Sequence, residues 1–220
     1  MAISKFNYNS FNVTPVAGKA LSFNSDADGF STTGASSMIL IKTLTASSSG
    51  TLSFVDGASS VVLDNTYPVY MFKFINLHPA TDDVLFSVNF SADTGSNYNV
   101  TKTTTYFYAE HSEAGDAQGL GYNTSRDLAQ GTGVQTLISD VGNVNDESLT
   151  GELMLFNPSS TTFVKHFISK NTANIKNNYN LAAYSAGYCN TTSAVDAVQF
   201  KMSSGNIDSG TIKLYGIKDS

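Results

Sequence analysis

Apolar and polar residues alternate with a period of two along most of this chain, and no stretch of convincing length carries a helical period. Regular strand signals begin at Met38. Met38 to Thr45 (MILIKTLT), Thr51 to Val55 and Val61 to Leu63 are separated by Ser/Gly residues and by the Asp56-Gly57 turn. Val69 to Leu77 (VYMFKFINL) is almost continuously apolar, which predicts a central strand buried on both faces and ended at His78-Pro79. Val84, Phe86, Val88 and Phe90 share one face of the next strand. Further strands are predicted at Thr103 to Glu110, Val134 to Ile138, Gly151 to Phe156, Thr162 to Ser169 and Leu181 to Cys189. At the end, Val195 to Met202 and Thr211 to Ile217 flank SSGNIDSG and predict a long-looped β-hairpin closing a sheet. Many short strands at close spacing imply an all-β, antiparallel sandwich or barrel.

Residues 1–37 read differently. Phe6, Tyr8, Phe11, Val13 and Phe23 are scattered among Asn, Ser and Gly, and the segment ends in Ser31-Thr-Thr-Gly-Ala-Ser-Ser37. It is expected to be an extended arm that orders against a partner protein, followed by a linker, with residues 38–220 forming the sandwich. A ragged first sandwich strand is the other reading. The stretch Ala92 to Ser148 is the least regular, and long irregular stretches inside a compact β domain are usually functional loops or edge coverings, whereas Asn171 to Asn180 reads as a polar loop.

Composition sharpens this in three ways. The 14 Phe and 11 Tyr can fill a sandwich core, although only 14% of residues are charged. A net charge of −6 without a Lys/Arg cluster argues against nucleic acid as a partner. Cys189 has no cysteine to pair with, and neither a signal-peptide core nor a run of transmembrane length is present, so membrane insertion is not expected. These features suit a protein assembled in the cytoplasm and exposed later, and equally an ordinary cytoplasmic protein.

Chemical motifs are few. His78, His111 and His166 lack partners at metal-ligand spacing. Asn24-Ser-Asp26-Ala-Asp28-Gly29 begins like a calcium loop, but Ala35 stands where the bidentate Glu belongs, so local Asx-turn chemistry is the preferred reading and no metal is expected. The acid pairs Asp82-Asp83 and Asp146-Glu147 sit in turns, where solvated carboxylates are common, and no G-x-S-x-G elbow is present. No catalytic residue and no cofactor is expected. The best ligand-binding candidates are Tyr106 and Tyr108 on one strand face, with Glu110, His111, Tyr122, Arg126 and Asp127 close in sequence. Aromatic rings beside amides, acids and Arg suit a sugar. Packing of the same tyrosines in the core or at a subunit interface is the favoured reading, and the absence of tryptophan weakens the sugar reading further.

The stretch Ser203-Ser-Gly-Asn-Ile-Asp-Ser-Gly-Thr-Ile-Lys-Leu-Tyr-Gly216 resembles β-sandwich accessory proteins of tailed, especially marine, bacteriophages, the head- or tail-fibre-like virion proteins. Ala46 to Gly57 leading into Tyr70 to Ala80, and Leu155 to His166, are similar to the same group. The resemblance spans roughly Met38 to Ile217 and carries no catalytic motif. It implies a jelly-roll-like sandwich, assembly into homo-oligomers, often trimers, and a place on the virion exterior. The resulting expectation is a non-enzymatic virion surface protein. Its arm would dock on other capsid or tail proteins, and its loops Gly95 to Tyr98 and Glu110 to Asp127 would face a host glycan. A capsid decoration (cement) protein is the alternative.

Overall fold

The structure, a computed structural model, describes residues 20–23, 30–33 and 37–218. The chain divides into two compact units, residues 1–39 and 40–220. The described part of the first holds an antiparallel pair, β1 (Ala20–Phe23) and β2 (Phe30–Thr33), in which Phe23 and Phe30 are partners and their rings stack at 5.0 Å. Of the residues assigned to the arm, Phe6, Tyr8, Phe11 and Val13 lie outside the described residues, as does the Asn24 to Gly29 loop.

The remaining strands are β3 (Met38–Thr45), β4 (Leu52–Val55), β5 (Val69–Pro79), β6 (Val84–Ser91), β7 (Lys102–Ser112), β8 (Gln118–Tyr122) and β9 (Gln135–Val141). They continue with β10 (Leu149–Phe156), β11 (Lys165–Ile175), β12 (Tyr179–Cys189), β13 (Ala197–Met202) and β14 (Ile207–Ile217). All registered pairs are antiparallel. Eight strands run β3-β14-β5-β10-β11-β12-β7-β8, and four run β9-β6-β13-β4. The two layers join where Ile175 of β11 meets Val141 of β9. The fold is an all-β antiparallel sandwich.

Facing rings show how the layers close on each other. Phe72 and Phe74 of β5 in the large sheet meet Phe54 of β4, Phe86 of β6 and Phe200 of β13 in the small one, with centroids 5.1–5.3 Å apart in the closest pairs. Most of these pairs are edge-on, the arrangement favoured by the ring quadrupole. The other half of the interior carries a polar network among apolar residues such as Leu137, Phe167 and Leu181. Lys102 is buried and its Nζ donates to Asn89 Oδ1 and to the Val100 carbonyl, each at 2.6 Å. Thr104 donates to Gln135 Oε1 at 2.5 Å, and Gln135 Nε2 donates to the carbonyls of Arg126 and Thr136.

Several expectations need correction. The predicted C-terminal hairpin is an arch: β13 pairs with β4 and β6 in the small sheet, whereas β14 pairs with β3 and β5 in the large one. Alternation is identical in both cases. In a hairpin the two apolar faces lie side by side, and here Phe200 and Met202 instead look across the core toward the sheet holding Ile212 and Leu214. The turn at Ser203–Asn206, with Gly205 at φ +67, reverses the chain between layers, and two bulges follow in β14. Val61 and Leu63 are buried but not in a strand. The glycine-rich stretch after His111 contains the missed strand β8, and the polar Asn171 to Asn180 segment is the paired end of the β11–β12 hairpin.

Central β5 is also not buried on both faces. Tyr70, Phe72 and Phe74 point into the core, while Met71 and Lys73 are half-exposed and Ile75 is 39% exposed on the outer face.

Candidate functional site

Two surface regions stand out, one at a rim of the large sheet and one across its outer face. The rim is built by neighbouring hairpins. Because β7 and β12 pair along their whole length, the β7–β8 and β11–β12 turns emerge side by side, with Ser112 opposite Tyr179. The Glu113 N–H donates to the Asn178 carbonyl at 2.9 Å and ties the tips together. The sequence dictates both turns. Asn177 and Asn178 take φ of 66° and 59°, which asparagine tolerates better than most residues, and Gly115 takes φ 72°. Asp116 accepts from Ser112 Oγ at 2.6 Å and closes the second turn.

Between the tips lie two adjoining hollows. One of about 350 Å³ is lined by His111, Ser112, Glu113, Asn174 and Asn180. The other, about 550 Å³, is lined by Ser112, Glu113, Ala114, Asp116, Asn177, Asn178 and Tyr179. Asn174 lines the smaller hollow, and its Oδ1 is buried without a partner. His111 Nδ1 lies 2.9 Å from the Ser112 carbonyl, which can only accept, so Nδ1 carries the proton and Nε2 is left to engage a ligand. Asn180 Oδ1 accepts from Thr172. Amides, a carboxylate, an imidazole and the edge of Tyr179 together suit a ligand rich in hydroxyl groups.

The outer face is crossed by rows of cross-strand partners. One row runs Lys213, Lys73, Glu152 and Lys170 on β14, β5, β10 and β11, then Tyr184, Phe107 and Tyr122 on β12, β7 and β8. Glu152 binds Lys73 and Lys170, each at 2.9 Å. Burial alone would raise the Glu152 pKa, but the two ammonium groups hold it below the ordinary carboxylate value. Phe107 and Tyr184 stack at 5.0 Å and 9°, and Tyr122 donates to Asp127 Oδ2 at 2.5 Å. The next row is apolar: Tyr215, Met71, Met154, Ile168 and Ala186. Beside it a trough of about 470 Å³ is lined by Thr103, Thr105, His166, Ile168, Ala186 and Tyr188, among others. Gly187, which also lines it, lies on β12 against Thr104 of β7. A Cβ on Gly187 would stand 2.6 Å from the Thr103 carbonyl oxygen.

The structure scatters the residues nominated from the sequence. Tyr106 is fully buried, with its hydroxyl 3.4 Å from Ser139 Oγ, and burial raises its pKa. Its ring therefore cannot stack on a surface ligand. Tyr108 packs against the core and over Gly121, and Glu110 lies over Gly119. Arg126 is half-buried, and its Nε is buried without a partner. Tyr122 and Asp127 pair at the β8 end, and only His111 among the candidates lines the tip hollows. The sequence reading missed Asn174, Asn177, Asn178, Tyr179 and Asn180. The asparagine-dense turn KNNYN was the available signal, but only pairing with β7 brings it beside Glu113. Among the described residues no group of three or more His, Cys, Asp or Glu is placed to hold a metal, and no helix is long and apolar enough to cross a membrane.

No family model matches the sequence, and no curated protein matches it. A solved structure from Bacteroides ovatus, a structural-genomics protein of unknown function, is similar over 48% of this chain and 45% of its own length. Identity is 6% and the TM-score 0.26, too low to carry an argument.

Proposed function

We propose that this protein is a non-enzymatic structural protein of a bacteriophage virion surface, displayed outward so that the paired hairpin tips meet a host-surface glycan. Residues 1–37 dock it on capsid or tail. The observation that carries the ligand half of this reading is the pair of hollows between the β7–β8 and β11–β12 tips, where Glu113, His111, Asn174 and Asn178 converge. Amide and carboxylate groups on a well-tied turn present fixed hydrogen-bonding geometry at low ordering cost, which suits a sugar's hydroxyls. The virion half rests on the resemblance of Met38 to Ile217 to phage accessory proteins. Exposure of the particle after assembly in the host cytoplasm accords with a surface solvated mainly by hydroxyls and amides.

The test is glycan-array binding by the full chain, followed by phage adsorption to host cells with the variants Glu113→Ala and Asn174→Ala. Retained folding with at least about tenfold weaker glycan binding is expected, the scale of losing one or two well-placed polar contacts. Absence of binding to any glycan would sink the attachment reading. Particles lacking the protein that adsorb normally but rupture at low salt or on heating would point to capsid decoration instead.

A further inference from the structure

On either side of its charged row the outer face of the large sheet carries apolar side chains where a solvent-facing sheet surface is normally polar. Sheets with one wet face read as a clean alternation, yet β5 sets Val69, Met71 and Ile75 beside Lys73 on its outer side, with Ile75 39% exposed. Ile168 is 48%, Phe107 43% and Tyr184 41% exposed. Patches of this kind on soluble proteins mark contact surfaces. We infer that this face pairs with the same face of a second copy of the chain, about a two-fold axis parallel to the strands and lying between β10 and β11.

Charge complementarity selects a second copy as the occupant. The eight-stranded order places four strands on either side of that axis. Rotation about it lays each row on its own counterpart in reverse, because the position along the strands is kept and the position across them is inverted. Glu152 then faces Lys170 of the second copy, and Lys170 faces the second copy's Glu152. Lys73 comes to the ring of Tyr184 and Lys213 to the ring of Phe107. Every cation of the row thus lies opposite a carboxylate or an aromatic side chain, a complementary arrangement across the axis. In the neighbouring row Met154 meets Ile168. Such a surface is self-complementary, as an isologous contact requires.

The dimensions agree. Eight strands at about 4.8 Å spacing make a face roughly 35–40 Å wide, and the two rows together with the next one, where His166, Tyr188 and Thr103 are cross-strand partners, cover about 15–20 Å along the strands. The resulting area, roughly 600–700 Å² per copy, approaches the about 800 Å² that each partner contributes to a standard stable interface. Where face-packed sheets cross at about 30° the axis bisects the two strand directions, so the contacts nearest it, between Glu152 and Lys170, set the specificity.

The proposal stands apart from glycan binding and is tested separately, by sedimentation equilibrium of the full chain. Twice the chain mass is expected, with Ile168→Asp reducing association at least about tenfold while circular dichroism and the melting transition stay near wild type. Glu152→Lys and Lys170→Glu should each weaken self-association by a similar factor, since each puts like charges across the axis. Mixing these two variants should restore association, because the mixed pair makes both Glu–Lys contacts. A wild-type monomer, a trimer, or a mixture no tighter than either variant alone would overturn the inference. Any of these results leaves the glycan-array outcome unaffected.

Discussion

The two halves of the sandwich interior close the same gap between sheets by different means. Between β4, β5, β6 and β13 the gap is filled by Phe54, Phe72, Phe74, Phe86 and Phe200, all at most 1% exposed. Between β7, β9 and β12 buried Leu137, Leu181 and Ala183 share it with Lys102, Thr104, Tyr106, Gln135 and Ser139. The first half is held by non-directional burial and close packing, the second also by hydrogen bonds that each need a partner at the right angle. The difference teaches where each half is vulnerable. The ring cluster suffers when volume is lost, and the polar half when one member of a bonded pair is removed.

Phe200→Ala should have the largest effect. Phe200 touches the rings of Phe54, Phe72, Phe74 and Phe86, so its removal leaves a cavity walled by rigid groups. A loss of about 3–5 kcal/mol is expected, read as a lower urea midpoint at unchanged slope. A loss under about 1 kcal/mol would show that the rings collapse into the space.

Gln135→Leu probes the polar half. It keeps much of the volume but removes the acceptor of the Thr104 hydroxyl proton and the donor to the Arg126 and Thr136 carbonyls, leaving Thr104 Oγ1 only its bond from the Leu128 N–H. A loss of about 1–3 kcal/mol is expected in the same urea experiment, smaller than that of Phe200→Ala. If the order were reversed, directional bonding would be the stronger constraint on this fold.

Lys102 gives the polar half a pH signature. Burial pushes its ammonium down to about 8, against an upward pull from neighbouring Cys189. A lysine with a depressed folded pKa binds fewer protons folded than unfolded between about 8 and its ordinary 10.5. Its contribution therefore turns more favourable as pH rises through that window. Cys189, pushed by burial up to about 12, acts oppositely above about 9, because the unfolded thiol ionises first. The Lys102 term is isolated by the difference between wild type and Lys102→Met. Wild type should gain on the variant from pH 8 to 10, and a flat difference would mean that Lys102 titrates normally.

The smallest effect is expected at the sheet edge. Tyr122→Phe removes an exposed hydrogen bond to Asp127 that belongs to neither interior, and a change within about 0.5 kcal/mol is expected by thermal melting. A larger loss would show that the edge strand β8 depends on that bond.

How legible the molecule was varies from strand to strand. The alternation of β6, β7, β10 and β12 is plain in the chain, because a half-buried strand must place apolar residues on every second position. In β7 the alternation was visible but its inward side was not. Tyr106 and Tyr108 on one face and Thr105 and Phe107 on the other are similar amphipathic mixtures. The choice fell to Ser139 and Gln135, which wait across the gap in a strand some thirty positions away. That inversion is why the nominated ligand site dissolved. Strand β8 escaped notice because glycine alternates in it with the outward Leu120 and Tyr122, and glycine is permitted there only because Tyr108 and Glu110 fill the space above it. The tip hollows were illegible for a related reason: Glu113 and Asn178 are neighbours only through the full-length β7–β12 pairing.

The chain by itself determined the class of structure, most of the strands and the fact that aromatic rings form the core, since all three follow from local periodicity and side-chain chemistry. Tertiary structure alone decided three further things. It made Val195 to Ile217 an arch between layers, it set which face of β7 looks inward, and it left Ile75 exposed on the outer side of β5. The reason is physical. A strand's pattern specifies that one side must be buried, but its partner strands and the layer it faces are chosen by long-range pairing, where register and facing volume outweigh any local preference.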